Sequence, residues 1–286
     1  MRNPQGKQPV NDVTAHTEST AGESRGGELH LSVPRLVTSL ALTAVALTAV
    51  YVLTQESAIR FFPLPEWLTT IYRFFDVDEE LSIPTWFSQI LLLLISVFSV
   101  VAAKLQREIN PLHSRAWGFL AVVFLIASLD EGVGFHEMLV GPMWVVLGID
   151  DAQLTMVWIL PALLVVALSV LVLAPFLVTL DRSVRRLIIG GGIVFLTGAV
   201  VIELLSVVIR LGSDELAAWW ARVGFVATGL EELLEMLGAI VILWGVATQI
   251  ARLSGSIRLS FLTGAHERSS DPVDAARTTR LDEAEH

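Results

Sequence analysis

The sequence SLDEGVGFHE, residues 128–137, places four ionisable side chains in a run that is otherwise apolar enough to cross a membrane. These side chains are Asp130, Glu131, His136 and Glu137. Ionisable groups inside hydrocarbon are costly, and where they occur they mark functional sites by default. The stretch therefore predicts a membrane-spanning helix with a polar site near its end.

A second acidic stretch, GLEELLEMLG at residues 229–238, lies in another long apolar run. Its glutamates Glu231, Glu232 and Glu235 fall within one arc of about 100° on a helix that turns about 100° per residue. Glu203 is a single acid in a third apolar run. Carboxylates are therefore expected on three different helices.

The composition favours a membrane protein over a soluble one. The chain has 286 residues, of which 53% are hydrophobic, whereas soluble domains reach about 45–50% with glycine already counted. The absence of cysteine excludes disulfides, thiolate metal sites and cysteine nucleophiles. A formal charge of −10 argues against a nucleic-acid partner.

Six apolar runs are long enough to cross a bilayer, since about 20 helical residues span the hydrocarbon core. They are residues 36–54, 85–105, 116–139, 155–180, 187–211 and 223–250. Backbone groups in lipid must be satisfied within their own segment, so helices are the expected form. The predicted fold class is all-α, an integral membrane bundle of six transmembrane helices within residues 34–258. Because acids interrupt the third and sixth runs, a count of five spans is the alternative.

Charge in the connections orients the predicted bundle. With the N-terminus inside, the regions that flank the spans hold nine Lys and Arg residues on the cytoplasmic side and four on the other, as the positive-inside rule requires. Both termini are therefore expected in the cytoplasm of a multi-pass protein of the cell membrane. Residues 1–33 and 259–286 are polar and are predicted to be disordered cytoplasmic tails, the second one acidic. The outer connection, residues 55–83, is predicted to lie on the outer leaflet or to cap a cavity.

This topology places all seven carboxylates of the three runs in the outer third of the bilayer. Asp130, Glu203 and Glu232 lie about two to three turns below the same surface. Seven carboxylates in a low dielectric must be partly protonated or neutralised by bound cations. The nearest base on these helices is Arg210, two turns from Glu203 on the same face.

Helical geometry separates some of these side chains. Glu131 and His136 turn about 100–120° away from Asp130, to opposite sides. Either the helix is distorted near Gly132 and Gly134, or the two side chains reach different partners. Glu137 lies near enough to the surface for simple solvation to be the competing interpretation.

Carboxylates with one imidazole on neighbouring helices predict a divalent-metal site, with Fe or Mn favoured and Mg, Ca or Zn left open. The predicted metal ligands are Asp130, Glu131, His136, Glu137, Glu203, Glu232 and Glu235. The predicted catalytic residues are His136, as a proton shuttle, and Glu231, as a base. Gln89 lies at a depth where it can contribute an oxygen. A zinc site built mainly from histidines is excluded, because only one histidine lies in the spans.

The pattern favours a membrane metalloenzyme, an oxidoreductase or a hydrolase, that acts on a lipid-soluble substrate entering from the bilayer. A cation or proton-coupled transporter is the alternative. Transport sites are expected near the midplane, and the inner halves of the helices, such as residues 163–173, offer no polar path. A non-catalytic metal-binding or assembly protein is the second alternative. The sequence leaves the oligomeric state open.

Overall fold

A computed structural model describes residues 28–30, 32–61, 65–148, 155–254 and 258–260 of the chain. Within these residues the helices are α1 (Val33–Phe61), α2 (Glu66–Phe74), α3 (Ile83–Gln106), α4 (Pro111–Val133), α5 (Phe135–Met138), α6 (Val140–Leu147), α7 (Ile159–Thr179), α8 (Arg182–Leu196), α9 (Glu203–Arg210) and α10 (Asp214–Ser254). A 3₁₀ turn, Thr155–Trp158, precedes α7, and a π-helical segment, Thr197–Ile202, joins α8 to α9.

Six of these helical stretches are long and apolar enough to cross a membrane, in agreement with the predicted number. They are Val33–Ala58, Ile83–Gln106, Pro111–Val133, Ile159–Thr179, Arg182–Arg210 and Asp214–Ser254. The fold is therefore all-helical in its long elements, and the spans indicate a multi-pass membrane protein.

Two short strands, Glu28–His30 and Arg258–Ser260, pair in a two-stranded sheet. The remainder of the two predicted tails, residues 1–27 and 261–286, lies outside the described residues.

The predicted end of the third span, at residue 139, is wrong. Helix α4 ends at Val133, because Gly134 adopts a left-handed φ of 65° and donates its N–H to the Asp130 carbonyl at 2.7 Å. Glycine takes this conformation without the steric cost that a Cβ brings. A Cβ at this position would also meet the side chain of Glu80. His136 therefore lies beyond the helix and not on its face.

Three serine hydroxyls join α3 to α4 by donating to backbone carbonyl oxygens of the partner helix. The pairs are Ser96 with Ala121 at 2.8 Å, Ser114 with Ala103 at 2.8 Å, and Ser128 with Gln89 at 2.9 Å. Successive contacts are seven residues apart on both helices, which is the two-turn repeat of helices packed as in a coiled coil. The two helices are thus antiparallel and held in one register.

Glycines let α8 and the π-helical segment approach α10 closely, as small residues do between membrane helices. A Cβ on Gly191 would lie 2.7 Å from the Gly238 carbonyl oxygen, and one on Gly245 would lie 2.9 Å from Ile188. Gly190 and Gly192 have no such neighbour within 4 Å. Of the three consecutive glycines at residues 190–192, the middle one therefore makes the close contact with α10.

The apolar core lies between α3, α4, α8 and α10. Its most buried members are Leu91, Ile95, Trp117, Val184, Leu243 and Val246. Helix α7, by contrast, exposes most of its apolar side chains, including Leu164, Val165, Leu168 and Leu171. Such exposure suits a helix that faces lipid, where apolar surface needs no protein cover.

Candidate functional site

Asp130, at the end of α4, makes two contacts with His136. One carboxylate oxygen of Asp130 accepts the His136 backbone N–H at 2.8 Å, and the other lies 3.0 Å from Nδ1 of the ring. The ring also packs against Trp158, with centroids 4.7 Å apart. Because a carboxylate only accepts, the contact places the proton on Nδ1 and makes Nε2 the basic nitrogen. Asp130 thus orients the imidazole.

Glu131, the next residue, turns to a different neighbour. It lines a small cavity with Glu235 of α10 and Ser88 of α3. The cavity measures about 10 Å³, taken as the space open to the centre of a water-sized sphere. That is room for about one water molecule or one ion. The divergence of Glu131 and His136 thus has two causes: the helix ends between them, and each has its own partner.

The glutamates of α10 lie within electrostatic reach of the acids on other helices. The charge of Glu232 interacts with those of Glu235, Glu131 and Glu231. The charge of Glu235 interacts with those of Glu131, Glu231 and Glu203. Carboxylates of α4, α9 and α10 therefore lie within electrostatic reach of one another.

Glu203 begins α9 directly after the π-helical segment Thr197–Ile202. This segment packs tightly on α10: a Cβ on Gly198 would lie 2.6 Å from the Glu231 carbonyl oxygen and 2.9 Å from Cγ of Glu235. Single π-helical turns within α-helices frequently occur at functional sites. The Arg210 guanidinium lies 4.0 Å from the Glu203 carboxylate, so the base expected nearest to Glu203 is its ion-pair partner.

An acidic loop, residues 76–80, comes near the same carboxylates, and sequence reasoning did not assign it to the site. Asp78 interacts electrostatically with Glu203, Glu231 and Glu232. Asp76 accepts a hydrogen bond from the Gln55 side chain at 3.3 Å, and burial raises the pKa of the Asp76 carboxyl. The sequence did not point to this loop because a run of charged residues usually indicates a solvated surface.

Val77 is the signal that could have identified the loop, because it is an apolar residue within an acidic run. It is only 3% exposed. The loop is therefore anchored into the protein and does not extend freely from it.

Tyr51 of α1 is a second residue that the sequence did not single out. Its side chain is buried and lies against Gly229 of α10, whose Cβ would be 3.3 Å from the ring. Its hydroxyl group interacts electrostatically with Asp76, Asp78 and Glu232. Tyr51 thus lies within electrostatic reach of both the acidic loop and Glu232 of α10.

The structure gives different outcomes for two further residues of the predicted site, Glu137 and Gln89. The side chain of Glu137 lies outside the described part of the structure. The side chain of Gln89 lies against Gly132, where it would collide with a Cβ. Among the described residues, no group of three or more His, Cys, Asp or Glu side chains is arranged to hold a metal ion. Metal binding by the predicted ligand set stays a prediction.

Comparison with known proteins gives one match. No curated protein and no solved structure matches the sequence. A family model described as "Domain of unknown function (DUF8692)" matches residues 39–250, well over half of the chain. The match begins within α1 and ends within α10, so it contains all the carboxylates described above. The chain belongs to the DUF8692 family.

Proposed function

We propose that the chain is a multi-pass protein of the cell membrane with both termini in the cytoplasm. The six apolar helices support a multi-pass membrane protein. The distribution of Lys and Arg supports the orientation, since the regions that flank the spans hold nine of them on the side of the termini and four on the other. The acidic cavity then opens toward the outer leaflet.

The carboxylates at this end bind a divalent cation, which serves a metalloenzyme acting on a lipid-soluble substrate. One observation carries this proposal: Glu131 and Glu235, from helices far apart in sequence, line one small cavity. Hard and borderline divalent cations prefer carboxylate oxygens. When bound, such a cation supplies Lewis-acid or redox chemistry.

The Asp130–His136 pair supplies proton transfer beside this site. The carboxylate holds the imidazole by two contacts, so that Nε2 acts as base or acid with little loss of conformational freedom. His136 is within electrostatic reach of Glu131 and Glu203. Glu231, on the neighbouring helix, is the further base of the proposal.

The substrate reaches the pair from the hydrocarbon side. Leu129, Val133 and Phe135 surround Asp130 and His136 in sequence, and all three expose large apolar side chains. A lipid-soluble molecule can contact this surface from within the bilayer. A polar substrate would meet the acidic loop instead.

Metal analysis of the full-length protein in lipid nanodiscs tests the proposal. The wild type is loaded with Mn²⁺ or Fe²⁺ and washed, and one cation per chain is expected to remain. Glu131→Gln and Glu235→Gln are expected to lose it, because each removes a charged oxygen pair from the cavity. Glu215→Gln, an exposed position on the same helix as Glu235, is the matched control. A wild type that retains no Mn²⁺, Fe²⁺, Mg²⁺, Ca²⁺ or Zn²⁺ would refute the proposal.

A cation or proton-coupled transporter is the second candidate, and one observation favours it. Buried polar atoms without a hydrogen-bond partner among the described residues continue along α3 away from the cavity, at Ser99 Oγ and Gln106 Oε1. Trp117 Nε1, on α4, is another such atom. The pairing of α3 with α4 places Trp117 nearly opposite Ser99. Flux of cations or protons into proteoliposomes without any turnover of a lipid substrate would favour this function.

A further inference from the structure

Ser88 is a buried polar residue whose hydroxyl group makes no hydrogen bond within the described residues. The residue is 7% exposed, and its Oγ has no partner. Hydroxyls in helices commonly donate to the carbonyl four residues earlier, as Ser206 does to Ile202 at 2.8 Å and Thr248 to Trp244 at 2.7 Å. Ser88 lacks this bond although burial makes an unmade bond costly. An occupant that Ser88 could bind is therefore expected next to it.

Among the described residues, the polar side chains that line the adjoining cavity are those of Ser88, Glu131 and Glu235. The remaining lining residues, Leu92, Phe195, Met236 and Ala239, are apolar. With a volume of about 10 Å³, the cavity has room for a single water-sized species. Three helices thus direct two carboxylates and one neutral oxygen at one small space.

We propose that Ser88 Oγ is the third ligand of one small divalent cation bound by the carboxylates of Glu131 and Glu235. The inference rests on the proposed function and adds the neutral ligand and the size of the ion. Two carboxylates and one hydroxyl offer at most five oxygens, which is one short of the octahedral six that suits Mn²⁺ and up to three short of the six to eight that Ca²⁺ takes. The site therefore selects an ion of the Mn²⁺ class over Ca²⁺. A neutral third ligand also agrees with the lack of a three-acid group among the described residues.

Mn²⁺ titration of the full-length protein in nanodiscs, followed by the electron paramagnetic resonance signal of free Mn²⁺, tests this assignment. Ser88→Ala is expected to raise the Kd for Mn²⁺ about tenfold or more, since a ligand is lost, and Ser88→Thr is expected to restore most of the affinity. Ser99→Ala is the matched control, because Ser99 is also buried on α3, also has an unpartnered Oγ among the described residues, and does not line the cavity. It is expected to bind as the wild type does.

The possible results distinguish the role of Ser88 from the proposed function of the carboxylates. Equal Mn²⁺ affinity in Ser88→Ala and wild type, with binding lost in Glu235→Gln, would overturn the role of Ser88 and leave the proposed function standing. Ca²⁺ binding as tight as Mn²⁺ binding would overturn the size selection. A wild type that binds no Mn²⁺ would overturn both proposals and would make water the occupant of the cavity.

Discussion

Where α8 begins and α10 ends, Asp181 has a partner for each of its oxygens, whereas toward the other end of the bundle Glu232 and Glu235 lie within electrostatic reach of several other carboxylates. Asp181 lies 2.6 Å from the Arg252 guanidinium, and its second oxygen accepts bonds from the Ser183 N–H and hydroxyl at 2.9 Å. An acid with partners of this kind fixes two helix ends together. Acids without them need protons or cations to coexist.

The described acids outside the spans show the same difference. Hydrogen bonding from Arg252 lowers the pKa of Asp181 to about 2. Burial raises the pKa of Asp76, in the acidic loop, and repulsion from Asp78 and Glu79 acts in the same direction. Two aspartates that look equivalent in a composition count thus have opposite electrostatic environments. The comparison suggests that one end of the bundle is structural and the other is a site.

Gly198→Ala gives the largest expected effect, because it separates the π-helical segment from α10 at the acidic end. The new Cβ would lie 2.6 Å from the Glu231 carbonyl oxygen, and overpacking of this kind costs about 1–3 kcal/mol. Thermal unfolding in detergent and Mn²⁺ binding should both suffer. Gly192→Ala, where nothing lies within 4 Å, should leave stability unchanged or raise it by up to about 1 kcal/mol. Equal losses in both variants would contradict the close packing at Gly198.

Val77→Ala should loosen the acidic loop with a smaller effect. Val77 is 3% exposed, and removal of two buried methyl groups costs about 1–2 kcal/mol. Thermal unfolding measures the loss. Faster hydrogen exchange of residues 76–80 would show that the loop itself opens. Leu81→Ala, at an 89% exposed position nearby, is the control. If Val77→Ala behaves as Leu81→Ala does, the loop is not anchored at this residue.

Asp130→Ala should release α5 without unfolding the bundle. Two contacts to His136 are lost, and half-exposed contacts of this kind are worth about 1 kcal/mol in total after solvent screening. Amide exchange of residues 135–138 should therefore accelerate roughly fivefold. Asp181→Ala, at the other end, should not affect these amides. Unchanged exchange in Asp130→Ala would show that the 3₁₀ turn and Trp158 hold α5 by themselves.

Asp181→Asn should have the smallest effect, because the pair with Arg252 is exposed and screened by solvent. The pKa of Asp181 is lowered to about 2 from its ordinary 3.8. Its stabilising contribution is therefore fully present above about pH 4 and is lost as the pH falls toward 2. The melting temperatures of variant and wild type should differ slightly at pH 6 and converge in acid. A difference that grows in acid would contradict this sign.

The lengths of the apolar runs predicted the helical class and the six spans, because length and apolarity alone determine both. Helix geometry also predicted that Glu203 and Arg210 share a face, and they form an ion pair. A distortion near Gly132 and Gly134 was one of two alternatives, but the end of α4 at Gly134 did not follow from the sequence, since glycine permits a left-handed φ but does not require it. Ser88 was missed because a sequence does not show whether a serine finds a hydrogen-bond partner.

The most direct test of the central claim is an anomalous-scattering map from crystals of the full-length protein grown with Mn²⁺. The account predicts one peak per chain in the cavity bounded by Glu131, Glu235 and Ser88, with no equivalent peak beside Asp181 at the other end. A map without a peak in this cavity, or with Mn²⁺ bound only at the exposed acidic loop, would contradict it.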